Sequence, residues 1–305
     1  MTLKEFTHKK EAFINYLNVE RHVSAHTIRA YESDLKNFIN FWQTKISKDE
    51  QNKLSLRQII ERYLMSLYYK KIDKQTIARK YSSFSSFIKY LKSEGINLNL
   101  NLKRPRLDKK LPVYLSIDEV FHLLDTISDH DLPTRYPIRD KAIFELLYAT
   151  GIRCSELVNI RICDLDLKEK LVRIRGKGNV ERLSLFGDKA KKKIQEYFLK
   201  ERSAIIEYNE PLFLSSRNKG MTTRSVQRIF EIFRTFLKID KHITPHKIRH
   251  TYATHLLNQG VDLRIVQELL GHKTISSTEK YTHVTLDDLA EMCNTIHPIN
   301  KILKN

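Results

Sequence analysis

Cysteine is scarce: 305 residues carry only Cys154, Cys163 and Cys293. The count is odd, and no pair has the spacing of a metal site or a redox motif. That argues against a disulfide framework and for a reducing compartment. Long apolar runs are missing too, none approaching the roughly 18 residues of a spanning helix. The opening "MTLKEFTHKKEAF" has no apolar core of a secretory leader. A cytoplasmic protein with no membrane partner is the expectation. No internal repeat is visible. Acids are outnumbered, 36 Asp+Glu against 54 Lys+Arg, for a formal charge of +18. A chain this basic suits a polyanionic partner, nucleic acid first. What is present is enough for real cores, since 41% of residues are hydrophobic and 10% aromatic, so wholesale disorder is excluded.

The length predicts two domains. Charge divides unevenly between them. Residues 1–110 carry 23 Lys+Arg and 11 Asp+Glu, a net of +12, and the rest of the chain nets only +6. Residues 1–95 read as a helical module. In "SAHTIRAYESDLKNFINFWQ" Ser24 is a candidate N-cap, and Ile28, Tyr31, Leu35, Phe38, Ile39 and Trp42 fall at helical spacing. "LRQIIERYLMSLYY" and "KQTIARKYSSFSSFIKYLKSEG" repeat the pattern, the second ending at Gly95, and a shorter helix near residues 4–18 completes a set of four. Residues 96–112, "INLNLNLKRPRLDKKLP", lose the periodicity and read as an extended basic linker. Its Lys103, Arg104 and Arg106 are candidate contacts to a phosphate backbone.

The second domain spans 113–305. "SIDEVFHLL" opens on the capping box Ser116–Glu119. "RDKAIFELLYATG" predicts a helix stopped at Gly151, and "KLVRIRGKGNVERLSLF" a hairpin around "GKGN". "TTRSVQRIFEIFRTFL", "TPHKIRHTYATHLLNQG" and "DLRIVQELLGH" read as helices. The expected class is mainly α with one small β-sheet.

Several polar residues stand where a fold alone does not ask for them. Arg153 follows a helix end; Lys177 sits in the hairpin turn; His246 and Arg249 share one helical face; His272 follows "LLG"; Tyr281 lies in "TISSTEKYTHV", among small polar residues rather than in an apolar run. Each alone has an ordinary structural explanation. Together they hold no carboxylate pair and no metal cage, so no metal or cofactor is expected. Their sum is cationic and suits a phosphodiester.

The ordered set "ATGIRCSEL", a "GKG" hairpin, "PHKIRHTYATHLL" and "LLGHKTISSTEKYTHV" resembles the tyrosine recombinase (phage integrase) family. The family order is Arg, Lys, His-x-x-Arg, His, Tyr, and the spacings here of 23 residues from Arg249 to His272 and nine to Tyr281 match it. "SAHTIRAYESDLKNF", with Ser24, Thr27, Tyr31, Asp34 and Leu35, resembles the family's helical, SAM-like core-binding domain. The length and "HKIRHTYATHLL" are similar to the bacterial Xer branch, of XerC or XerD type.

The resemblance implies a site-specific recombinase. Tyr281 would be the nucleophile, Arg153 and Arg249 the phosphate clamp, His246 and His272 proton or hydrogen-bond partners, Lys177 the general acid, and Glu156 a support for an arginine. It implies double-stranded DNA with an inverted-repeat site, gripped by two domains in a C-shaped clamp. It also implies a homo- or hetero-tetramer with a related recombinase, and chromosome-dimer resolution as the task. The tail "TLDDLAEMCNTIHPINKIL", with Leu286, Leu289, Met292, Cys293 and Ile296 on one face, would dock as a helix on a neighbouring protomer. The sequence departs from the family near its end, where His297-Pro298-Ile299 replaces His-Pro-Arg. Three other readings keep part of this: a type IB topoisomerase-like enzyme, a transposon, phage or integron integrase, and an inactive DNA-binding architectural protein.

Overall fold

The computed structural model describes residues 1–21, 23–47, 50, 53–97, 105, 114–176, 181–202, 207–239 and 241–271. The chain divides into two compact units, Met1–Leu111 and Pro112–Asn305.

The described part of the first unit holds helices α1 (Leu3–Val19), α2 (Ala25–Lys45), α3 (Leu56–Tyr69) and α4 (Lys74–Ser93). Each starts where a short polar side chain can satisfy amides that have no helical partner. Ser24 Oγ accepts from the Thr27 amide at 3.3 Å, and Asp73 accepts from the Gln75 amide at 2.9 Å. After α4, Gly95 turns left-handed with φ 79°, as its position in the sequence predicts. The apolar stripes meet in an aromatic core in which Phe6 packs edge-to-face on Phe38, Trp42 and Phe87. One charged group lies inside. Asp34 is buried and accepts hydrogen bonds from Lys80 at 3.0 Å, from Ser83 at 2.7 Å and from Arg79. A carboxylate out of water needs such partners, so this cluster fixes α4 against α2.

The second unit is built around α6 (Pro137–Thr150), whose residues are buried almost all round. It packs against α8 (Asp188–Lys200) and α10 (Pro245–Asn258). The unit opens with α5 (Ile117–Phe121), where Ser116 and Glu119 form the expected capping box. The helix then widens into a π-helical turn, His122–Thr126, within the stretch that reads as one continuous helix in the sequence. A one-turn helix α7 (Cys154–Leu157) follows α6. The sheet has three antiparallel strands in the order β1 (Leu165–Asp166), β2 (Leu171–Arg175), β3 (Glu181–Leu185). The β2–β3 pair is the predicted hairpin, in the register Val172 to Ser184 and Arg175 to Glu181. Strand β1 is too short to show a period in the sequence. The remaining helices are α9 (Thr223–Phe236) and α11 (Leu263–Leu270).

Within this unit α10 is strapped to the entering chain. Thr251 accepts from the Leu115 amide at 3.1 Å. His255 Nε2 donates to the Leu115 carbonyl at 2.9 Å, which leaves Nδ1 to accept from the Tyr148 hydroxyl at 2.8 Å. His255 is buried, and burial lowers its pKa. It is therefore a neutral tie between α10, α6 and residue 115. Among the described residues, no helix is long and apolar enough to cross a membrane.

Candidate active site

The end of α6, the start of α7, strand β3, α10 and the end of α11 converge, and Arg249 joins three of these elements. It stands on α10, is only 6% exposed, and donates to the Gly151 carbonyl at 2.7 Å and the Leu270 carbonyl at 2.6 Å. Gly151 closes α6 and Leu270 closes α11. Helix ends leave carbonyls without helical partners, and here one guanidinium serves two of them. Burial first, and then repulsion from Arg153, push the Arg249 guanidinium down to about 10. It stays charged at neutral pH.

Gly151 must be glycine for two separate reasons. Its φ is +59°, and a Cβ there would lie 2.4 Å from Tyr252 Cδ1 and 2.9 Å from Leu270 Cδ2. The close approach brings the Gly151 carbonyl within reach of Arg249 and turns the chain so that Arg153 starts α7.

Arg153 is half exposed, and its partner Glu156 is buried. Glu156 Oε1 accepts from Arg153 Nη1 at 2.9 Å, and Oε2 accepts from the Arg153 amide at 2.9 Å. The same two oxygens receive Arg182 of β3, Nη2 to Oε2 at 2.8 Å and Nη1 to Oε1 at 3.3 Å. Burial alone would raise the Glu156 pKa. The hydrogen bonds from Arg182 and then Arg153 outweigh it and hold the carboxyl below its ordinary value. Arg182 belongs to no motif singled out in the sequence, where it reads as one charged residue of an alternating strand. Only the fold shows that it faces inward.

His246 lies in the first turn of α10, after Thr244 and Pro245, and is exposed. It shares a face with Arg249 three residues on, but at a different depth: the arginine is fastened inside and the imidazole stands at the surface. Cys154, beside Arg153, is half-buried, and burial pushes its thiol up to about 11, which removes thiolate chemistry at neutral pH. Among the described residues no group of His, Cys, Asp or Glu is placed to hold a metal ion. Lys177, His272 and Tyr281 lie outside the described residues, as do Lys103, Arg104, Arg106 and the tail from Thr285. The structure thus brings together Arg153, Glu156 and Arg249 from the predicted set, places His246 on the helix that carries Arg249, and adds Arg182.

Two family models match the chain. The phage integrase family matches residues 114–287, and the phage integrase N-terminal SAM-like domain matches residues 11–95. A tyrosine recombinase XerC of Thermodesulfovibrio yellowstonii is 38% identical over 299 residues, covering 95% of this chain and 96% of that protein. A tyrosine recombinase XerD of Oceanobacillus iheyensis is also 38% identical, over 294 residues, with 94% and 97% covered. Among solved structures, a lambda integrase dimer bound to a COC′ core site has the same fold, with a TM-score of 0.68 at 17% identity over 94% of this chain and all of that one. The XerH recombinase bound to its difH substrate gives a TM-score of 0.65 at 22% identity, covering 90% and 80%. With both models in chain order and relatives this similar end to end, the chain belongs to the phage integrase family and is a tyrosine recombinase of the Xer type.

Proposed function

We propose that this recombinase cuts and rejoins double-stranded DNA at an inverted-repeat site through Tyr281. The phenol oxygen of Tyr281 attacks the scissile phosphorus, and the bond from phosphorus to the 5′-oxygen breaks. The phenol proton passes to His246 or solvent, and Lys177 protonates the departing 5′-oxygen. The product is a 3′-phosphotyrosyl link and a free 5′-hydroxyl. A second 5′-hydroxyl reverses the step, so no external energy source is needed.

The observation that carries this reading is the arginine pair. Arg153 is held at a helix start with most of its guanidinium donors uncommitted among the described residues, and Arg249 is fixed within the same junction as a permanent positive charge. Charge on non-bridging phosphate oxygens is what such a pair opposes as the transition state forms. His246 extends from the same helix as Arg249, and His272 would donate to a phosphate oxygen.

Lys103, Arg104 and Arg106, in the stretch 96–112 that joins residues 1–95 to residues 113–305, would contact the phosphate backbone of the DNA. Four protomers, of one kind or of two related kinds, would assemble on paired sites. Chromosome-dimer resolution in the cytoplasm is the task that the XerC and XerD relatives favour.

Two experiments test this. Binding to fragments of the cognate genome, followed by sequencing of the retained DNA, should return one inverted repeat. A duplex with that repeat, nicked beside the cleavage point, should then trap a covalent adduct. Tyr281→Phe should bind the duplex as wild type does and form no adduct on a denaturing gel. An undiminished adduct would remove Tyr281 as the nucleophile.

A further inference from the structure

We propose that Arg182 is a positioning residue for the reaction, holding Arg153 on the phosphate through Glu156. This rests on the role given to Arg153 above. The geometry is a carboxylate shared by two arginines. Arg182 sets a two-pronged contact on both oxygens of Glu156, and Arg153 takes the same oxygens with one guanidinium nitrogen and its own amide. Glu156 is 5% exposed, Arg182 is 13% exposed and Arg153 is 45% exposed. The inner arginine is therefore committed, and the outer one faces solvent.

Charge explains why a second arginine is needed. Arg153 and Glu156 alone would form a neutral pair, and the carboxylate would compete with a phosphate for the guanidinium. With Arg182 in place the three groups sum to one positive charge, on the side of the exposed member. Arg153 spends one guanidinium N–H on Glu156 and keeps the others for oxygens of a ligand.

Arg182 also lies beside the end of α11. A Cβ on Gly271, whose φ is +66°, would stand 3.1 Å from Arg182 Cδ and Nε and 3.2 Å from Cζ. Gly271 immediately precedes His272, and Arg182 follows Lys177 by five residues in the chain. Arg182 thus bonds Glu156 in the Arg153 turn and lies beside the residue before His272, on the strand that follows Lys177. Its Nε–H is buried and has no hydrogen-bond partner among the described residues.

The test compares Arg182→Gln and Arg182→Lys with wild type on the nicked inverted-repeat duplex recovered above. Arg182→Gln should slow adduct formation about 10²-fold, the scale of a small misplacement at a reacting centre, with affinity for the duplex little changed. Arg182→Lys keeps the charge and loses the fork, so it should fall between. Three readouts separate positioning from general weakening. In an Arg153→Ala background, Arg182→Gln should cost almost nothing more. A methylphosphonate at the scissile position removes the charge that Arg153 opposes and should recover most of the Arg182→Gln loss. A sulfur at the 5′-bridging position needs no general acid and should recover none of it.

Full additivity with Arg153→Ala would overturn the proposal. So would rescue by the bridging sulfur, which would place Arg182 in the service of Lys177. If both Arg182 variants lose their cooperative unfolding transition, the residue serves folding and the proposal is wrong. An Arg182→Gln enzyme as fast as a wild type that forms the Tyr281 adduct sinks this inference alone. A wild type that forms no such adduct sinks both readings.

Discussion

At the scale of single residues, two glycines in similar backbone conformations have different meanings. Gly95 and Gly151 both have positive φ, 79° and 59°. Around Gly95 a Cβ would meet nothing within 4 Å, whereas at Gly151 it would strike Tyr252 and Leu270. Gly95→Ala should therefore cost only the left-handed penalty, roughly 1–2 kcal/mol. Gly151→Ala adds overpacking of about 1–3 kcal/mol and moves the carbonyl that Arg249 bonds. Denaturant unfolding should rank the two in that order. Adduct formation should be lost only with Gly151→Ala, and equal costs would show that the close packing at Gly151 is relaxed in solution. The sequence marks both positions as helix stops and cannot separate them, because the atoms that collide with Gly151 come from residues about 100 positions further on. Arg182 is hidden for the same reason. Period-two alternation places it on one face of a strand but cannot tell that a buried carboxylate 26 residues earlier waits there.

At the scale of elements, α6 shows what periodicity conveys and what it conceals. "RDKAIFELLYATG" reads as a helix with a Gly stop, and α6 ends there. Its charged residues Arg139, Asp140, Lys141 and Glu145 are all four buried, which the helical pattern alone does not tell. Arg139, Asp140 and Lys141 are held there by hydrogen bonds and ion pairs. Arg139 bonds Asp140 and the Leu214 carbonyl, and Lys141 pairs with Asp129 at 3.0 Å. Glu145 is held differently. Burial, helped by the charge of Asp125, pushes its carboxyl up to about 7, against opposing attraction from Lys189, Lys193 and Lys141. Its folded pKa lies above the unfolded value of 4.5, so the native state binds the extra proton between about pH 4.5 and 7. Stability from this group is present below that window and is lost as pH rises through it. Glu145→Gln should remove the loss. The variant should gain on wild type between pH 5 and pH 8 by up to about 3 kcal/mol, from the size of the shift. A stability difference that stays flat with pH would mean that Glu145 is ionised throughout. Buried His255 has the opposite sign, since its lowered pKa costs stability as pH falls below the ordinary histidine range, so the Glu145 effect must be read from the variant and not from wild type alone. Helix α8, which packs on α6, is not among the helices that the sequence pattern predicts, although Ala190, Ile194 and Tyr197 give it a helical stripe. Its five lysines dominate the pattern.

At the scale of the whole molecule, the two units have separate cores. One is the aromatic cluster around Phe6, Phe38 and Phe87, the other the cluster around Ile143, Leu146 and Phe230, and they share no residue. Each unit therefore buries its own apolar surface, and deletion of one should leave the other folded. Charge is where the units differ. The segment 1–110 carries a net +12 of the total +18 while holding just over a third of the residues. If that excess neutralises phosphates, it must appear in the salt dependence of binding, because each neutralised phosphate releases a counterion. Six contacts give a log–log slope of about −5, and removing residues 1–110 should flatten it to about −2, in proportion to the charge removed. Fluorescence anisotropy on the inverted-repeat duplex between roughly 50 and 200 mM salt measures both slopes. The truncated chain should retain a cooperative unfolding transition, which separates lost contacts from lost structure. A full-length slope near zero would mean that the positive charge is solvated surface. A slope unchanged by the deletion would place the phosphate contacts in residues 111–305, where a net charge of only +6 would have to be gathered on one face, beside Arg153 and His246.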